Sequence, residues 1–483
     1  MLHSHLINTE MARLSRLNLP NITQYIIQRG SNRRKFTLAS FLIPLIPVLM
    51  FIGEVHSATI TVDGSDGAVA MDGFCSISEA IQAANSDSAV NECAAGSGTD
   101  TINLSTNITL TAAFDEDATY GSTGTPAISS SLFINGMGFS IERQSSLICN
   151  YDFNNDADEF RLLRTTPSAN LIISHLTLKK GCADGGLTDG SGAGIHNLGH
   201  LSIETTVIAL NTSIARGAGI FNLGTISTIK NSTLLTNSAG YAGGGIYNEG
   251  TIGTILNSTI SDNYVDDGSG GGILNNGTVA AIQNSIFSLN VANEGGGILN
   301  AGITTTTIQN TTFSGNSAVN GGGISNHSTI GAIENSTFSG NSATSIGKTI
   351  RNIGIIENLR NSLFHNNTTS GGANECENNG SAIITNSNNN ISDDAFSNCP
   401  GASTTLTSAT VGSLADNGGP TMTHALSAGS EAIDASGVGA TTTDQRGFSA
   451  FNARDMGAFE YLGIDNDLIF ENGFEAVTIN IID

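Results

Sequence analysis

"GGGISNHSTIGAIENSTFSGNSA", residues 321–343, repeats almost letter for letter the stretch before it, "GGGILNAGITTTTIQNTTFSGNSA", residues 295–318. Aligning the Gly-Gly-Ile element along the chain gives a series of isoleucines that stand 25 to 27 residues apart. These are Ile195, Ile220, Ile246, Ile273, Ile298, Ile324 and Ile350. A fixed period of roughly 20 to 50 residues is typical of a solenoid in which each repeat forms one coil.

Asparagine recurs with the same period in three rows. The first row is Asn197, Asn222, Asn248, Asn275, Asn300, Asn326 and Asn352; the second is Asn231, Asn257, Asn284, Asn310, Asn335 and Asn361; the third is Asn237, Asn263, Asn290, Asn316, Asn341 and Asn367. Stacked asparagines can bond amide to amide, and Asn tolerates the left-handed conformation of tight turns. We therefore predict structural Asn ladders and corners. N-glycosylation of the Asn-Ser-Thr sites in the second row is the alternative.

The repeat itself opposes helix, because each copy combines glycines with many β-branched residues and few Ala, Leu or Glu. Short runs such as "TIGTIL" and "AIQNSIF" alternate apolar positions between Gly and Asn turns, which indicates strands. Three short strands in each repeat of about 26 residues predict an all-β fold, a right-handed parallel β-helix. Ile, Phe and Val are expected to fill its interior.

The N-terminus has the pattern of a targeting segment. "NRRKF" (32–36) supplies positive charge, "TLASFLIPLIPVLMFI" (37–52) is an apolar run of 16, and a cut is expected near Ser57–Ala58. Because the run is short for a membrane span, we predict export with no membrane span in the mature chain; a retained anchor is the alternative.

The net charge of the chain limits the classes of binding partner. Removing residues 1–57 leaves 12 Lys and Arg against 40 Asp and Glu, a net charge of −28. Such a surface argues against nucleic acid and anionic membranes. We predict a secreted or surface-held monomer whose partner is an unknown surface molecule or glycan, with no cofactor and no metal.

Six cysteines follow the predicted cut: Cys75, Cys93, Cys149, Cys182, Cys376 and Cys399. An even number in an exported chain predicts disulfides, and six cysteines allow about fifteen connectivities. We favour pairing between sequence neighbours, in loops of 18, 33 and 23 residues. Each bridge would contribute roughly 3 kcal/mol.

The two ends are expected to protect the solenoid. In "CSISEAIQAAN" (75–85), the apolar spacing predicts an amphipathic helix, with Ser76 and Glu79 at capping-box spacing and Asn85 as its stop. "GTDTINL" (98–104) is then expected to open the first strand. Near the other end, Asp444, Arg446, Arg454 and Asp455 are expected to fix a terminal module by ion pairing.

These terminal motifs resemble known modules. "CSISEAIQAAN" with Cys93 and "GTDTINL" is similar to the CSLREA-type N-terminal module of bacterial exported β-helix proteins. "LADNGGPTMTHALSAGSEAIDA" (414–435) and "TTDQRGF…ARDMGAFEY" (442–461) resemble the choice-of-anchor Q module, and the coils resemble polymorphic outer-membrane protein repeats. The resemblance implies a secreted or surface β-helix from a bacterial envelope, in a group whose members mostly have no established activity.

We accordingly divide the chain into five parts. These are a leader with signal peptide (1–57), an N-terminal cap with the first strand (58–115), β-helix coils (116–375), the last coils with the C-terminal module (376–461), and a tail (462–483).

Pectin-type lyases and polygalacturonases share the predicted architecture, but fold alone does not decide function. Acids are sparse between residues 192 and 370: Glu204, Glu249, Asp262, Asp266, Asp267, Glu294, Glu334 and Glu357. Asp267 and Glu294 could form a pair with glycosidase-like separation, against the alternative of a solvated loop. His196 and His200 are four apart but are not on a helix, so a zinc-protease geometry is not expected.

Because acids are sparse and the two histidines are not on a helix, we predict no catalytic residues. The favoured interpretation is a non-catalytic exported β-helix protein with a structural or adhesin-like interaction role at the cell surface. The alternative is a polysaccharide lyase or glycoside hydrolase that acts on acidic glycans.

Overall fold

The computed structural model describes residues 57–150, 158–187, 189–371, 374–393, 404–405 and 411–463. These residues form a parallel β-solenoid, and the predicted all-β parallel β-helix is confirmed by its strand pairing. The predicted leader lies outside the described residues except for Ser57, and most of the tail lies outside them too. Among the described residues, no helix is both long and apolar enough to cross a membrane.

Among the described residues, the first face of the solenoid is a sheet of 12 parallel strands. Its strands are Thr59–Val62, Thr99–Leu104, Ser131–Asn135, Asn170–Ser174, His200–Glu204, Thr225–Lys230, Thr251–Leu256, Thr278–Gln283, Thr304–Gln309, Thr329–Glu334, Ile355–Arg360 and Ile383–Asn388. The strand Thr99–Leu104, which was expected to be the first strand of the fold, is therefore the second. Thr59–Val62 precedes the cap and pairs in parallel with Thr99–Leu104.

The second face likewise contains 12 strands in the part of the chain that the structure describes. It comprises Ile108–Leu110, Ser140–Arg143, Thr177–Lys179, Val207–Ala209, Thr233–Leu235, Thr259–Ser261, Ile286–Ser288, Thr312–Ser314, Thr337–Ser339, Leu363–His365, Ile391–Ser392 and Thr404–Thr405. Its inward positions carry a stack of phenylalanines, Phe287, Phe313, Phe338 and Phe364, whose neighbouring ring centroids lie 4.8 to 5.1 Å apart. All four are fully buried, so phenylalanine fills the interior as expected.

The third face contains nine strands within the described ranges, and it carries the isoleucines of the repeat. It comprises Leu163–Arg164, Ile195–Asn197, Ile220–Asn222, Ile246–Asn248, Ile273–Asn275, Ile298–Asn300, Ile324–Asn326, Ile350–Asn352 and Cys376–Asn378. From the second strand to the eighth, each Ile faces the next Ile and each Asn the next Asn. The register predicted from the sequence is the register of the sheet.

Short strands between the second and third faces make a fourth side, called the corner sheet below. They are Cys182–Ala183, Thr212–Ser213, Ser238–Ala239 and Tyr264–Val265 in one group, and Ser317–Asn320, Ser342–Ile346 and Thr368–Thr369 in another. Among the described residues, two antiparallel strand pairs are present in addition to the parallel sheets. They are formed by Asp115–Asp117 with Gly121–Thr123, and by Val411–Ala415 with Thr423–Leu426.

Two asparagine rows form hydrogen-bonded ladders in the interior. In the first row each Nδ2 donates to Oδ1 of the next coil at 2.7 to 3.0 Å, from Asn197 as far as Asn378. In the third row the same bond, at 2.9 to 3.0 Å, runs from Asn211 to Asn367. The third ladder thus begins one coil before the first asparagine that the repeat indicated, at Asn211.

The second row has a different role. All six of its members adopt positive φ, between 48° and 55°. Amide bonds within the row join Asn257 to Asn231 and Asn310 to Asn284. A stack of left-handed turns describes this row better than an amide ladder running through every coil, because all six members share the turn conformation while these two amide bonds join only some of them.

A short helix, α1 (Ile77–Ser86), covers the first coil. Its N-terminus is the predicted capping box, because Ser76 accepts from the Glu79 amide while the Glu79 carboxylate accepts from the Ser76 amide. The helix ends at Asp87 in the left-handed conformation, two residues beyond the predicted stop. Ile77 and Ile81 are buried in the core of the solenoid, so the helix closes its apolar interior.

The cysteines pair locally as predicted where the structure describes both partners. Cys75 bonds Cys93 with Cα atoms 4.8 Å apart, and Cys149 bonds Cys182 with Cα atoms 5.7 Å apart. Cys376 is also disulfide-bonded. Its predicted partner, Cys399, lies outside the described residues.

The C-terminal module, residues 411–463, lies along the flank of the solenoid. It contacts four coils in turn through hydrogen bonds, in which Thr421 Oγ1 donates to Asn284 O, Thr441 Oγ1 to Asn310 Oδ1, the Ala458 amide to Thr337 Oγ1 and the Gly437 amide to Asn361 Oδ1. Leu363 and Ile391 of the second face pack with Leu426 and Met456 of the module in a separate apolar cluster. The left-handed Asn turns are thus the seam at which the module attaches.

Ion pairs hold the module together. Arg446 pairs with Asp444 at 2.7 Å, and Arg454 pairs with Glu460 at 2.6 Å, all four side chains being buried or nearly so. The Arg446 guanidinium also lies 3.8 Å from the centre of the Phe459 ring. Such paired burial avoids the high cost of an isolated buried charge.

Candidate functional site

The third face carries a polar cluster on its outer side, formed by Glu294, Ser325, His327 and Arg351. His327 Nε2 lies 2.7 Å from Glu294 Oε1, and Ser325 Oγ donates to the same oxygen at 3.0 Å. Arg351 forms an ion pair with Glu294. The sheet register explains the proximity, because Ser325 and Arg351 face each other in adjacent strands and His327 follows two residues after Ser325.

This polar cluster is not arranged for nucleophilic catalysis. A Ser-His-acid relay needs one imidazole nitrogen toward the serine and the other toward the acid. Here the same atom, His327 Nε2, lies 3.3 Å from Ser325 Oγ and also contacts Glu294. Burial lowers the pKa of His327, so the imidazole is neutral at pH 7. Glu294 is occupied by a cation and two hydrogen bonds, which makes the cluster an ion-pair network.

The carboxylate pair considered from sequence is not in register. Across the ladder Glu294 faces Ser269, two residues beyond Asp267. The coil that contains Asp267 is one of the longer repeats, and the extra length displaces the acid from the expected position. Asp267 is exposed, which agrees with the solvated-loop alternative.

His196 and His200, which are four residues apart in the sequence, are also separated by the fold. His196 is fully buried between the rings of Tyr120 and Phe221, with centroid distances of 5.4 and 4.9 Å. His200 begins a strand of the first face and is exposed. In the part of the chain that the structure describes, no group of three or more His, Cys, Asp or Glu side chains is placed to hold a metal ion.

A cavity of about 380 Å³ lies between the solenoid flank and the C-terminal module. His424 lines it and links the two, because its Nδ1 lies 2.8 Å from Gly412 O and its Nε2 lies 2.9 Å from Ser314 Oγ. A carbonyl only accepts, so Nδ1 carries the proton and Ser314 donates to Nε2. Burial lowers the pKa of His424, which maintains this neutral form.

The Ser314–His424 pair fastens the module to the solenoid. Ser314 is only 8% exposed, which restricts access of a substrate to its hydroxyl. The neighbouring Gly315 amide, which could otherwise stabilise an oxyanion, donates to Ser339 O at 2.9 Å within the solenoid.

Apolar side chains are concentrated on the corner sheet and the turns beside it. Tyr241, Tyr264, Leu289, Val291 and Val319 are between 37% and 54% exposed, and together they are called the tyrosine patch below. The Tyr264 hydroxyl donates to Asp266 Oδ1 at 2.9 Å, which orients its ring. An exposed apolar patch of this kind commonly marks an interaction site.

The tyrosine patch is made by departures from the repeat. Tyr264 lies in register between Ser238 and Val291, and Val291 in turn faces Ser317. The coil before Tyr264 and the coil after Val291 carry serine at the equivalent position. The tyrosine patch carries an aromatic and a β-branched residue there instead. Periodicity does not identify such positions, because their residues differ from those of the other repeats. The signal available from sequence was the break in the period itself.

The surface around the tyrosine patch is acidic and polar. Asp262, Asp266 and Asp267 are exposed beside the tyrosines, and Asn293 is exposed next to Val291. Carboxylate and amide groups accept or donate hydrogen bonds, while tyrosine rings offer flat apolar faces. The patch therefore presents both kinds of group that recognise a polyhydroxylated ligand.

Comparison with solved structures matches the chain to the crystal structure of pectate lyase Pel9A. The two chains are 15% identical, the match covers 84% of this chain and 97% of that chain, and the TM-score is 0.46. At this identity and TM-score, neither activity nor site residues are carried over. No family model matches the chain, and no curated protein matches its sequence.

Proposed function

We propose that the chain is an exported β-helix protein that binds a neutral glycan at the cell surface through the tyrosine patch. The observation that carries this proposal is the exposure of Tyr264 and Val291 at a position of the coil where Ser238 precedes them and Ser317 follows them. The solenoid is a rigid scaffold, and the residues that differ from its repeat bind the glycan.

The chemistry of the tyrosine patch favours sugar over a polyanion. The C–H face of a sugar ring packs on an aromatic ring, and its hydroxyls bond to carboxylates and amides. Exposed Asp262, Asp266 and Asp267 would repel the carboxylates of a uronic-acid chain. A neutral glycan meets no such repulsion.

The enzyme alternative gains no support from these residues. Cleavage of an acidic glycan needs carboxylates, or a base, free to act on the substrate. Glu294 is instead engaged by Arg351 and His327. A screen of acidic glycans with folded protein that yields unsaturated or reducing-end products would overturn this part of the proposal.

Export is supported by the disulfides, the acidic composition and the terminal motifs. Disulfides persist in oxidising compartments, and two are described with both partners. We propose the division into leader, N-terminal cap, coils, C-terminal module and tail on the same basis, with the terminal modules of the CSLREA and choice-of-anchor Q types. Fractionation of the native host tests export directly, because a wholly cytoplasmic protein would exclude it.

The binding proposal is tested with an array of neutral and acidic polysaccharides. Tyr264→Ser is the matched variant, because Ser238 occupies this position in the preceding coil and Ser317 occupies it in the coil after Val291, so the change should leave folding intact. We expect the wild-type chain to bind neutral polysaccharides and Tyr264→Ser to lose most of that binding. Equal binding by both chains would exclude the tyrosine patch as the site.

A further inference from the structure

The first coil contains a buried carboxylate beside the backbone nitrogen of Ala58. Asp100 is fully buried, and its Oδ1 accepts from the Ser97 amide at 2.7 Å and from the Ala58 amide at 3.3 Å. Its other oxygen, Oδ2, is buried without a hydrogen-bond partner among the described residues. A buried carboxylate oxygen with no donor is costly and is rare in folded proteins.

Ala58 is held at this place by the sheet. The Thr101 amide donates to Ala58 O at 2.8 Å, and the strand Thr59–Val62 pairs with Thr99–Leu104 immediately afterwards. Ser57, the residue before it, is exposed. The peptide bond between Ser57 and Ala58 therefore joins an accessible residue to one whose nitrogen is fixed against Asp100.

We propose that the chain is cut between Ser57 and Ala58 and that the α-ammonium group so formed pairs with Asp100, locking the first coil. This rests on the proposed export, since the cut removes the leader. Water hydrolyses the bond with the aid of the host's leader-removing protease: its hydroxyl joins the Ser57 carbonyl carbon and the Ala58 nitrogen leaves with a proton. At neutral pH, ionisation leaves a carboxylate on Ser57 and an ammonium on Ala58.

The cut chain is expected to be more stable at this point than the uncut chain because its Ala58 nitrogen has more donors and a positive charge. In the uncut chain the Ala58 nitrogen has a single N–H, which is directed to Oδ1. An ammonium has three donors and a positive charge, so it can reach Oδ1 and Oδ2 together. Hydrogen bonds between charged groups are about twice as strong as those between neutral groups. Processing would thus stabilise the edge strand of the solenoid only after the leader has gone.

A cycle of four chains tests the pair. Chains beginning at Ala58 or at Ser57 are released from a cleavable fusion in oxidising conditions, each with Asp100 or with Asp100→Asn. Hydrogen exchange of the Thr101 amide is expected to be roughly tenfold slower in the Ala58 chain than in the Ser57 chain. The difference should disappear when Asp100→Asn is present. A difference that persists with Asp100→Asn, or no difference with Asp100, would overturn the proposal.

Acetylation of the Ala58 chain is the second arm, because it removes the charge and leaves the sequence unchanged. It should return exchange at Thr101 to the rate of the Ser57 chain. The mass of the exported protein tests the position of the cut separately: a start at Ala58 supports it and any other start overturns it. A cytoplasmic protein would refute export, while the four-chain cycle would still decide whether the ammonium and Asp100 interact.

Discussion

The change Asn290→Asp should destabilise the solenoid strongly. Asn290 is fully buried, and its Nδ2 donates to Ile260 O and to Asn316 Oδ1, both at 2.9 Å. An aspartate puts an oxygen opposite each of these acceptors. Asn316 Oδ1 keeps its hydrogen bond from the Asn290 backbone amide at 3.1 Å, so losing the two side-chain donations should lower the free energy of unfolding by about 1–3 kcal/mol. Burial of the charge adds to this loss unless the carboxyl takes up a proton.

The matched control is Asn231→Asp in the row of left-handed turns. Asn231 is exposed with φ of 50°, a conformation that Asp also tolerates, and the change keeps the oxygen that accepts from Asn257. Its effect should stay within about 0.5 kcal/mol. Urea unfolding followed by circular dichroism measures both, with unchanged slopes confirming that the same transition is compared. Equal losses in the two variants would refute the interior ladder.

Three other predictions concern the cap, the core and the module. Replacing Cys75 and Cys93 by Ala should cost roughly 3 kcal/mol and expose α1 to proteolysis first; unchanged melting would contradict a stabilising bridge. Phe338→Ala should cost about 3–5 kcal/mol because it opens a cavity between two stacked rings, and a cost below 1 kcal/mol would contradict the closed core. Burial raises the pKa of Asp455 to about 7, so the folded module holds a proton that the unfolded chain lost near pH 4. The module's stability to local unfolding, measured by hydrogen exchange, should therefore fall by about 1 kcal/mol from pH 6.5 to pH 8, and a slope that survives Asp455→Ala would contradict this assignment.

The parts of the fold that repeat were predictable from sequence, because a repeated residue marks a repeated environment. Ile298 and Ile324 pair as their spacing indicated, and Asn300 donates to Asn326. The capping box at Ser76 followed from a local rule that depends on residues three apart.

The parts that depend on contacts between distant residues could not be predicted in this way. The strand Thr59–Val62 is only four residues long and pairs across about 40 residues of chain, so it has no period to detect. The seam between Asn310 and Thr441 joins residues 131 apart. The tyrosine patch was not predicted because its residues differ from the repeat. Tyr241 and Tyr264 stand out only when the coils are aligned in the register of the structure.

The affinity of one neutral polysaccharide for two variants tests the central claim most directly. Calorimetric titration compares wild type with Tyr264→Ser, on the tyrosine patch, and Glu294→Gln, in the polar cluster of the third face. The proposed function predicts a roughly tenfold or greater loss of affinity for Tyr264→Ser and wild-type affinity for Glu294→Gln. Loss of binding in Glu294→Gln with wild-type affinity in Tyr264→Ser would place recognition at the polar cluster and contradict the claim.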